Sequence, residues 1–228
     1  MVSLISVILL SFLFGSIPFG IIVTKCVKGI DIREVGSGNI GSTNVSRVIG
    51  FKYGLLVQIG DILKGFIAPS VIAPIFFYSS PFADTMPTDN YILVQIIAGI
   101  SAVAGHIWTL FAGFKGGKGV NTAVGVLIGL APVDLLVAFS VFLVVLFISG
   151  YVSLGSLLGS ISFPSAMFIR FNLFHVEIKG YHTLIIFAII ICTIIIYTHR
   201  TNIVRLKNKT ENRFNKLMFR NWFKKRNN

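Results

Sequence analysis

Apolar stretches long enough to cross a bilayer recur along almost the whole chain, and that recurrence restricts the fold more than any single residue does. The hydrocarbon core offers no water to backbone N–H and C=O groups, so a spanning segment must satisfy them internally; apolar runs of about 20 residues do so as helices. Hydrophobic residues make up 54% of the 228 and charged residues only 12%, where a soluble domain would carry about a quarter. The expected fold is therefore an all-α integral membrane protein. The first run, Val2 to Val23, lacks a basic start and a clear small-x-small cleavage site, which makes it a retained span rather than a signal peptide. Cys26 and Cys192 are the only cysteines, too few and too far apart for a disulfide framework or a metal site.

Taken in order, the spans are Val2–Val23, Tyr53–Tyr78, Tyr91–Leu110, Val120–Leu130, Leu135–Ser149, a stretch ending near Phe168, and His182–Thr198, about seven in all. Val120–Leu130 and its neighbour are the shortest and leave open a re-entrant path. Pro18, within Gly15-Ser-Ile-Pro-Phe-Gly20, removes a backbone donor and should kink the first span. Asp61 and Lys64 lie three apart in the second. A lone charge at a helix centre costs roughly 2.5–3.5 kcal/mol, so these two should be paired or near the water edge. Basic residues are distributed unevenly. Five fall in the first loop, two in Gly113–Gly119 and ten in the C-terminal tail, so 17 of 20 share one side, opposite Arg170 and Lys179. The positive-inside rule then puts the N-terminus outside and the tail in the cytoplasm. These charges act in topology, so the net charge of +12 does not point to nucleic acid.

The longest polar break in the first half is Gly29 to Arg47. Gly36, Gly38 and Gly41 allow tight turns, Ser37, Asn39, Ser42, Thr43 and Asn44 bring short donors and acceptors, and Arg33 and Arg47 add fixed positive charge. That set suits a phosphate, though an ordinary wet loop between helices has a similar composition. Gly36-Ser-Gly-Asn-Ile-Gly41 spells GxGxxG, but a membrane loop cannot supply the βαβ unit that gives this fingerprint its meaning. Gly113-Phe-Lys-Gly-Gly-Lys-Gly119 has the wrong spacing for a P-loop. Lys115 and Lys118 on the Gly116-Gly117 turn, at a helix start, form either an anion cradle or a pair of topology charges. Five residues beyond His106, His175, His182 and His199 stand Phe, Gly, Phe and Val, so the His-x4-Asp pattern of acyl-CoA-dependent glycerolipid acyltransferases is absent. His199 begins His199-Arg-Thr-Asn202 on the cytoplasmic side. Every glycine-, serine- or lysine-rich cluster falls on that face, suiting an anionic head group from the cytosol beside a lipid chain from the bilayer.

Four of these stretches, Gly15–Gly20, Arg33–Gly41, Gly113–Val120 and His199-Arg-x-Asn202 with Arg205-Leu206 and Thr210-Glu211, resemble the bacterial acyl-phosphate-dependent glycerol-3-phosphate acyltransferase family (PlsY) in order and placement over about residues 3 to 214. The resemblance implies transfer of an acyl chain from acyl phosphate to glycerol 3-phosphate, giving lysophosphatidic acid and phosphate, without cofactor or metal, at the cytoplasmic side of a bacterial cell membrane. It implies that Ser37, Gly38, Asn39 and Arg47, with Lys115, Gly116, Gly117 and Lys118, bind substrate phosphate. Ser153 joins them, and His199 and Asn202 orient the attacking hydroxyl. Glu211 takes the family's acidic position, with the expected role of orienting a basic partner. Implied partners are glycerol 3-phosphate, fatty acyl phosphate, membrane lipid and the peripheral enzyme that makes acyl phosphate. Ser42 and Asn121 stand where the family usually has Ala, Thr109 replaces a common Pro, and Lys209 occupies a usual Gly position, which puts the turn leading to Glu211 in question. A membrane domain over residues 1–212 and a basic tail over 213–228 are expected, the tail forming an amphipathic interfacial helix or a disordered segment. A transporter or channel for an organic phosphate is the rival reading from another class.

Overall fold

The computed structural model describes residues 2–79 and 88–214. The link between the expected spans Tyr53–Tyr78 and Tyr91–Leu110 lies largely outside these residues, and the expected tail helix lies almost wholly outside them. All regular structure described is helical. The chain divides into two compact units, Met1–Leu130 and Ala131–Asn228.

In the first unit, α1 (Val2–Gly15) and α2 (Phe19–Lys28) form one broken span, Leu4–Lys28. The break falls at Pro18, as the missing donor requires. After a 3-10 turn at Ile32–Glu34 come α3 (Ser42–Ile49) and α4 (Phe51–Ile67). A π-helical turn at Ala68–Ile72 carries α4 into α5 (Ala73–Tyr78), completing a second span. Pro69 lies in that turn, where the widened register accommodates a residue without an N–H. The unit closes with α6 (Thr88–Ile107), a 3-10 turn at Leu110–Ala112, and α7 (Val120–Leu130).

Small residues set the packing, because lipid-embedded helices gain by close approach rather than by escape from water. A methyl at Gly15 would overlap the Ala102 carbonyl, and one at Gly105 the Phe12 carbonyl, so α1 and α6 meet backbone to backbone. Gly65 against the Thr122 carbonyl and Gly125 against the Ile62 carbonyl do the same for α4 and α7.

The second unit contains α8 (Pro132–Ser149), α9 (Val152–Asn172), α10 (Tyr181–Thr198) and α11 (Arg200–Lys207). Gly155 and Gly159 of α9 lie close to Phe142 and the Ala138 carbonyl of α8. At the far end of the same pair, Arg170 Nη1 meets the buried Asp134 carboxylate at 2.8 Å.

Six helical stretches among the described residues are long and apolar enough to cross a membrane. The seventh expected span is the short one. At 11 residues, α7 rises only about 16 Å, well under a 30 Å hydrocarbon core. Its neighbour α8 has 18 residues and is full length.

Candidate active site

The polar break after α2 is a built loop. Asn44, on the first turn of α3 and 2% exposed, organises it. Its Oδ1 accepts from the Ser37 N–H at 2.9 Å, while its Nδ2 donates to the carbonyls of Val35 and Asn39, each at 3.0 Å. Gly36 (φ 63°) and Gly38 (φ 71°) make the left-handed turns this path needs. Asn44, counted above among groups for a ligand, is thus used in holding the loop. Asn39 Oδ1 is likewise taken by the Gly41 N–H at 2.9 Å. Arg33 forms a two-point pair with Asp31, Nε to Oδ1 at 3.0 Å and Nη2 to Oδ2 at 2.7 Å, and also reaches the Ala112 carbonyl. Those hydrogen bonds hold the Asp31 carboxyl at about 2, well below its ordinary value. The Ser37 and Arg47 side chains remain exposed.

The Gly113–Gly119 segment folds back on the end of α6. The Gly116 N–H donates to the Ile107 carbonyl at 3.0 Å, and the Gly117 N–H to the His106 carbonyl at 3.1 Å. This revises the picture of a glycine cradle: these two amides are already spent within the protein. The glycines serve by lacking a side chain, since a methyl at Gly116 would overlap the His106 carbonyl and one at Gly117 the His106 ring. On this turn Lys115 is exposed and Lys118 half-buried.

Two of the noted departures meet. Asn121 Nδ2 donates to Ser42 Oγ at 2.9 Å, joining the start of α7 to the start of α3. Thr109, in place of a common proline, donates its hydroxyl to the Ser16 carbonyl at the break in the first span.

In the second unit, Ser153, Asn202 and Glu211 come together. Glu211 Oε1 accepts from Asn202 Nδ2 at 2.8 Å and from Ser153 Oγ at 3.1 Å, while Oε2 accepts from Arg205 Nε at 2.9 Å. Ser153 starts α9 and Asn202 lies in the first turn of α11, so one carboxylate ties two helix starts. The turn delivering Glu211 contains Lys209 at φ 58°. The left-handed conformation expected of glycine there is kept by a lysine, and the turn survives. His199 sits between α10 and α11, buried, with Nδ1 2.8 Å from the Ile195 carbonyl. A carbonyl acceptor at that distance places a proton on Nδ1.

Sequence reasoning passed over His106, which failed the His-x4-Asp test. The structure puts it beside Asp61 and under Gly117. An ionisable group inside a span, adjacent to a glycine-lysine turn, was the available signal.

The family model described as glycerol-3-phosphate acyltransferase matches residues 5–209. The chain belongs to the glycerol-3-phosphate acyltransferase family. A glycerol-3-phosphate acyltransferase of Chlorobium phaeobacteroides is 46% identical over 232 residues, covering 93% of this chain and 97% of its own. Among solved structures, PlsY (YgiH), an integral membrane glycerol 3-phosphate acyltransferase in its glycerol 3-phosphate form, matches at a TM-score of 0.79 and 39% identity, over 94% of this chain and 97% of that one. Its lysophosphatidic acid form matches at 0.76 and 38%, over 93% and 95%. The family expected from the motifs and the multi-pass membrane architecture therefore both stand.

Proposed function

We infer that the protein is a membrane-embedded glycerol-3-phosphate acyltransferase that makes lysophosphatidic acid. The observation that carries this is the family match across nearly the whole chain, together with similarity to a solved enzyme in glycerol 3-phosphate and lysophosphatidic acid forms.

We further propose that the donor is an acyl phosphate. Such a mixed anhydride carries its own leaving group, so positioning and charge stabilisation suffice and no protein nucleophile is required. The 1-hydroxyl oxygen of glycerol 3-phosphate attacks the acyl carbon, the bond from that carbon to the phosphate oxygen breaks, and inorganic phosphate leaves. The hydroxyl proton passes to His199 Nε2 or to a phosphate oxygen. Arg47, Lys115 and Lys118, with Ser37 and the Gly38-Asn39 backbone, are assigned to substrate phosphate; their charge and placement support this. Gly116 and Gly117 contribute by leaving the turn narrow. Asn202 is assigned to orienting the hydroxyl; Ser153, expected above to hold phosphate, shares the Glu211 carboxylate with Asn202 and is assigned to the same task, and Arg205 is the basic partner that Glu211 orients.

The basic-residue distribution supports an external N-terminus and a cytoplasmic tail in the bacterial cell membrane. This parity requires the short α7 to count as a crossing. Labelling of a Ser42→Cys variant from outside intact cells would overturn that sidedness. An enzyme supplying acyl phosphate at the cytoplasmic surface is the partner this chemistry calls for.

The deciding assay uses purified protein in lipid with palmitoyl phosphate and glycerol 3-phosphate, following phosphate and lysophosphatidic acid together. Equal amounts of both products, lost in Arg47→Ala, support the reaction and the phosphate role. Silence with acyl phosphate but turnover with an acyl-CoA would overturn the donor. Uptake of labelled glycerol phosphate without any product would bring forward the transporter.

A further inference from the structure

Asp61, Lys64 and His106 are buried together in the membrane-spanning part of the first unit, 2%, 1% and 3% exposed. Lys64 Nζ lies 2.9 Å from Asp61 Oδ1, and His106 Nδ1 lies 3.4 Å from the same oxygen. The ammonium also donates to the Ile17 carbonyl at 2.9 Å, next to Pro18. One carboxylate therefore sits between two basic groups, with α4, α6 and the break in the first span drawn onto it. Charge buried in a bilayer-spanning helix needs a purpose, since an apolar replacement of the same shape would cost less. The reaction proposed above does not use these groups. Their outward connection is the Gly113–Gly119 turn. The His106 ring is the floor on which Gly117 rests, and the His106 carbonyl accepts the Gly117 N–H. Lys118 is the next residue.

We propose that His106, buried beside the Asp61–Lys64 pair, is a positioning residue that sets the height of the Gly116–Gly117 turn and so aims Lys118 at the phosphate of glycerol 3-phosphate. This rests on the reading that Lys118 binds that phosphate. At 3.4 Å the Asp61 carboxylate attracts a proton on Nδ1, although the angle does not make a hydrogen bond; Gly117 can approach the ring because it has no Cβ. The pair with Lys64 keeps the carboxylate from turning away, and the Ile17 carbonyl keeps the lysine in place.

The test compares His106→Leu, His106→Asn and Lys118→Ala in lipid, with kcat and separate KM values for glycerol 3-phosphate and acyl phosphate. Asn can present a side-chain N–H toward Asp61 where the ring presents Nδ1, whereas Leu cannot. His106→Leu is expected to raise KM for glycerol 3-phosphate at least tenfold while leaving KM for the donor within twofold. His106→Asn should recover most of that loss. If His106→Leu does not fold, Gly117→Ala, whose methyl displaces the ring, should give the same selective rise. A fall in kcat with both KM values unchanged, or both KM values rising together, would overturn the proposal. An unchanged KM for glycerol 3-phosphate in Lys118→Ala would instead sink the reading beneath it. A raised KM in Lys118→Ala with none in His106→Leu would sink the positioning role alone.

Discussion

Removing the Glu211 carboxylate is the sharpest perturbation the second unit offers. In Glu211→Ala, the Asn202 amide and the Ser153 hydroxyl, both buried, lose their shared acceptor. Each unmet buried donor costs about 1–3 kcal/mol. The Arg205 pair adds less than about 1 kcal/mol, because that side chain is 36% exposed and water screens it. The unit should therefore lose about 2–7 kcal/mol of stability. If the same two bonds aim the groups that orient the reacting hydroxyl, about 2–4 kcal/mol of transition-state stabilisation goes with them, roughly a 30- to 1000-fold fall in kcat. Glu211→Gln separates the contributions. Its carbonyl still accepts from Asn202 and Ser153, while its amide opposes Arg205 Nε, so the expected fall is under about tenfold. Phosphate release in lipid gives kcat, and thermal unfolding in detergent gives the stability change. Glu211→Ala turning over within threefold of the parent protein, with an unchanged unfolding midpoint, would refute the reasoning.

Four further outcomes are expected. Asn44→Ala should lower stability by about 2–4 kcal/mol, since one amide and several carbonyls of the first loop lose a buried partner, and should raise KM for glycerol 3-phosphate; thermal unfolding and kinetics together check it. Lys209→Gly should be neutral or stabilising by up to about 1 kcal/mol, because glycine takes a left-handed φ without strain, whereas Lys209→Val should be destabilising in the same unfolding assay. Ser42→Ala and Asn121→Ala should each destabilise but couple by about 0.5–1.5 kcal/mol in a double-mutant cycle, restoring the alanine pair at little cost. Asp31 has its carboxyl lowered from 3.8 to about 2 in the folded protein. The stabilisation it gives through Arg33 is therefore complete well above pH 4 and lost as the pH falls toward 2. The thermal unfolding midpoint should therefore carry no Asp31 contribution to its pH dependence from about pH 5 to 8 and fall below about pH 4, and Asp31→Asn should remove that part of the acid loss.

The helices were legible because lipid imposes its demand over about 20 consecutive residues, and such a pattern survives any local irregularity. Val120–Leu130 is the exception that shows why. Its composition marks an apolar helix, but what lets so short a segment pack is the fit of Gly125 against the Ile62 carbonyl of another helix. The candidate site was legible as a set of motifs and much less as a geometry. Asn44 and Asn39 look like ligand groups in a linear sequence, yet both are consumed by the loop they build. The Gly116 and Gly117 amides likewise face carbonyls of a preceding helix. Sequence identifies which atoms can donate and accept; only the fold says which of them already have partners. Lys209 makes the complementary point, since a non-glycine residue adopts the turn that a glycine would have announced.

The buried lysine also bears on how the protein is made. The span Phe51–Tyr78 enters the membrane carrying two charges, each costing roughly 2.5–3.5 kcal/mol if left alone at the helix centre. Asp61 and Lys64 travel together on one face and neutralise each other from the start. The carbonyl that also receives the lysine, Ile17, belongs to the preceding span, whereas His106 comes with the following one. Chain order alone thus offers the lysine a carbonyl from a preceding span, and the carboxylate a ring from a following one. Deleting the span that carries Ile17 should therefore lower membrane insertion of Phe51–Tyr78, because Lys64 loses that carbonyl.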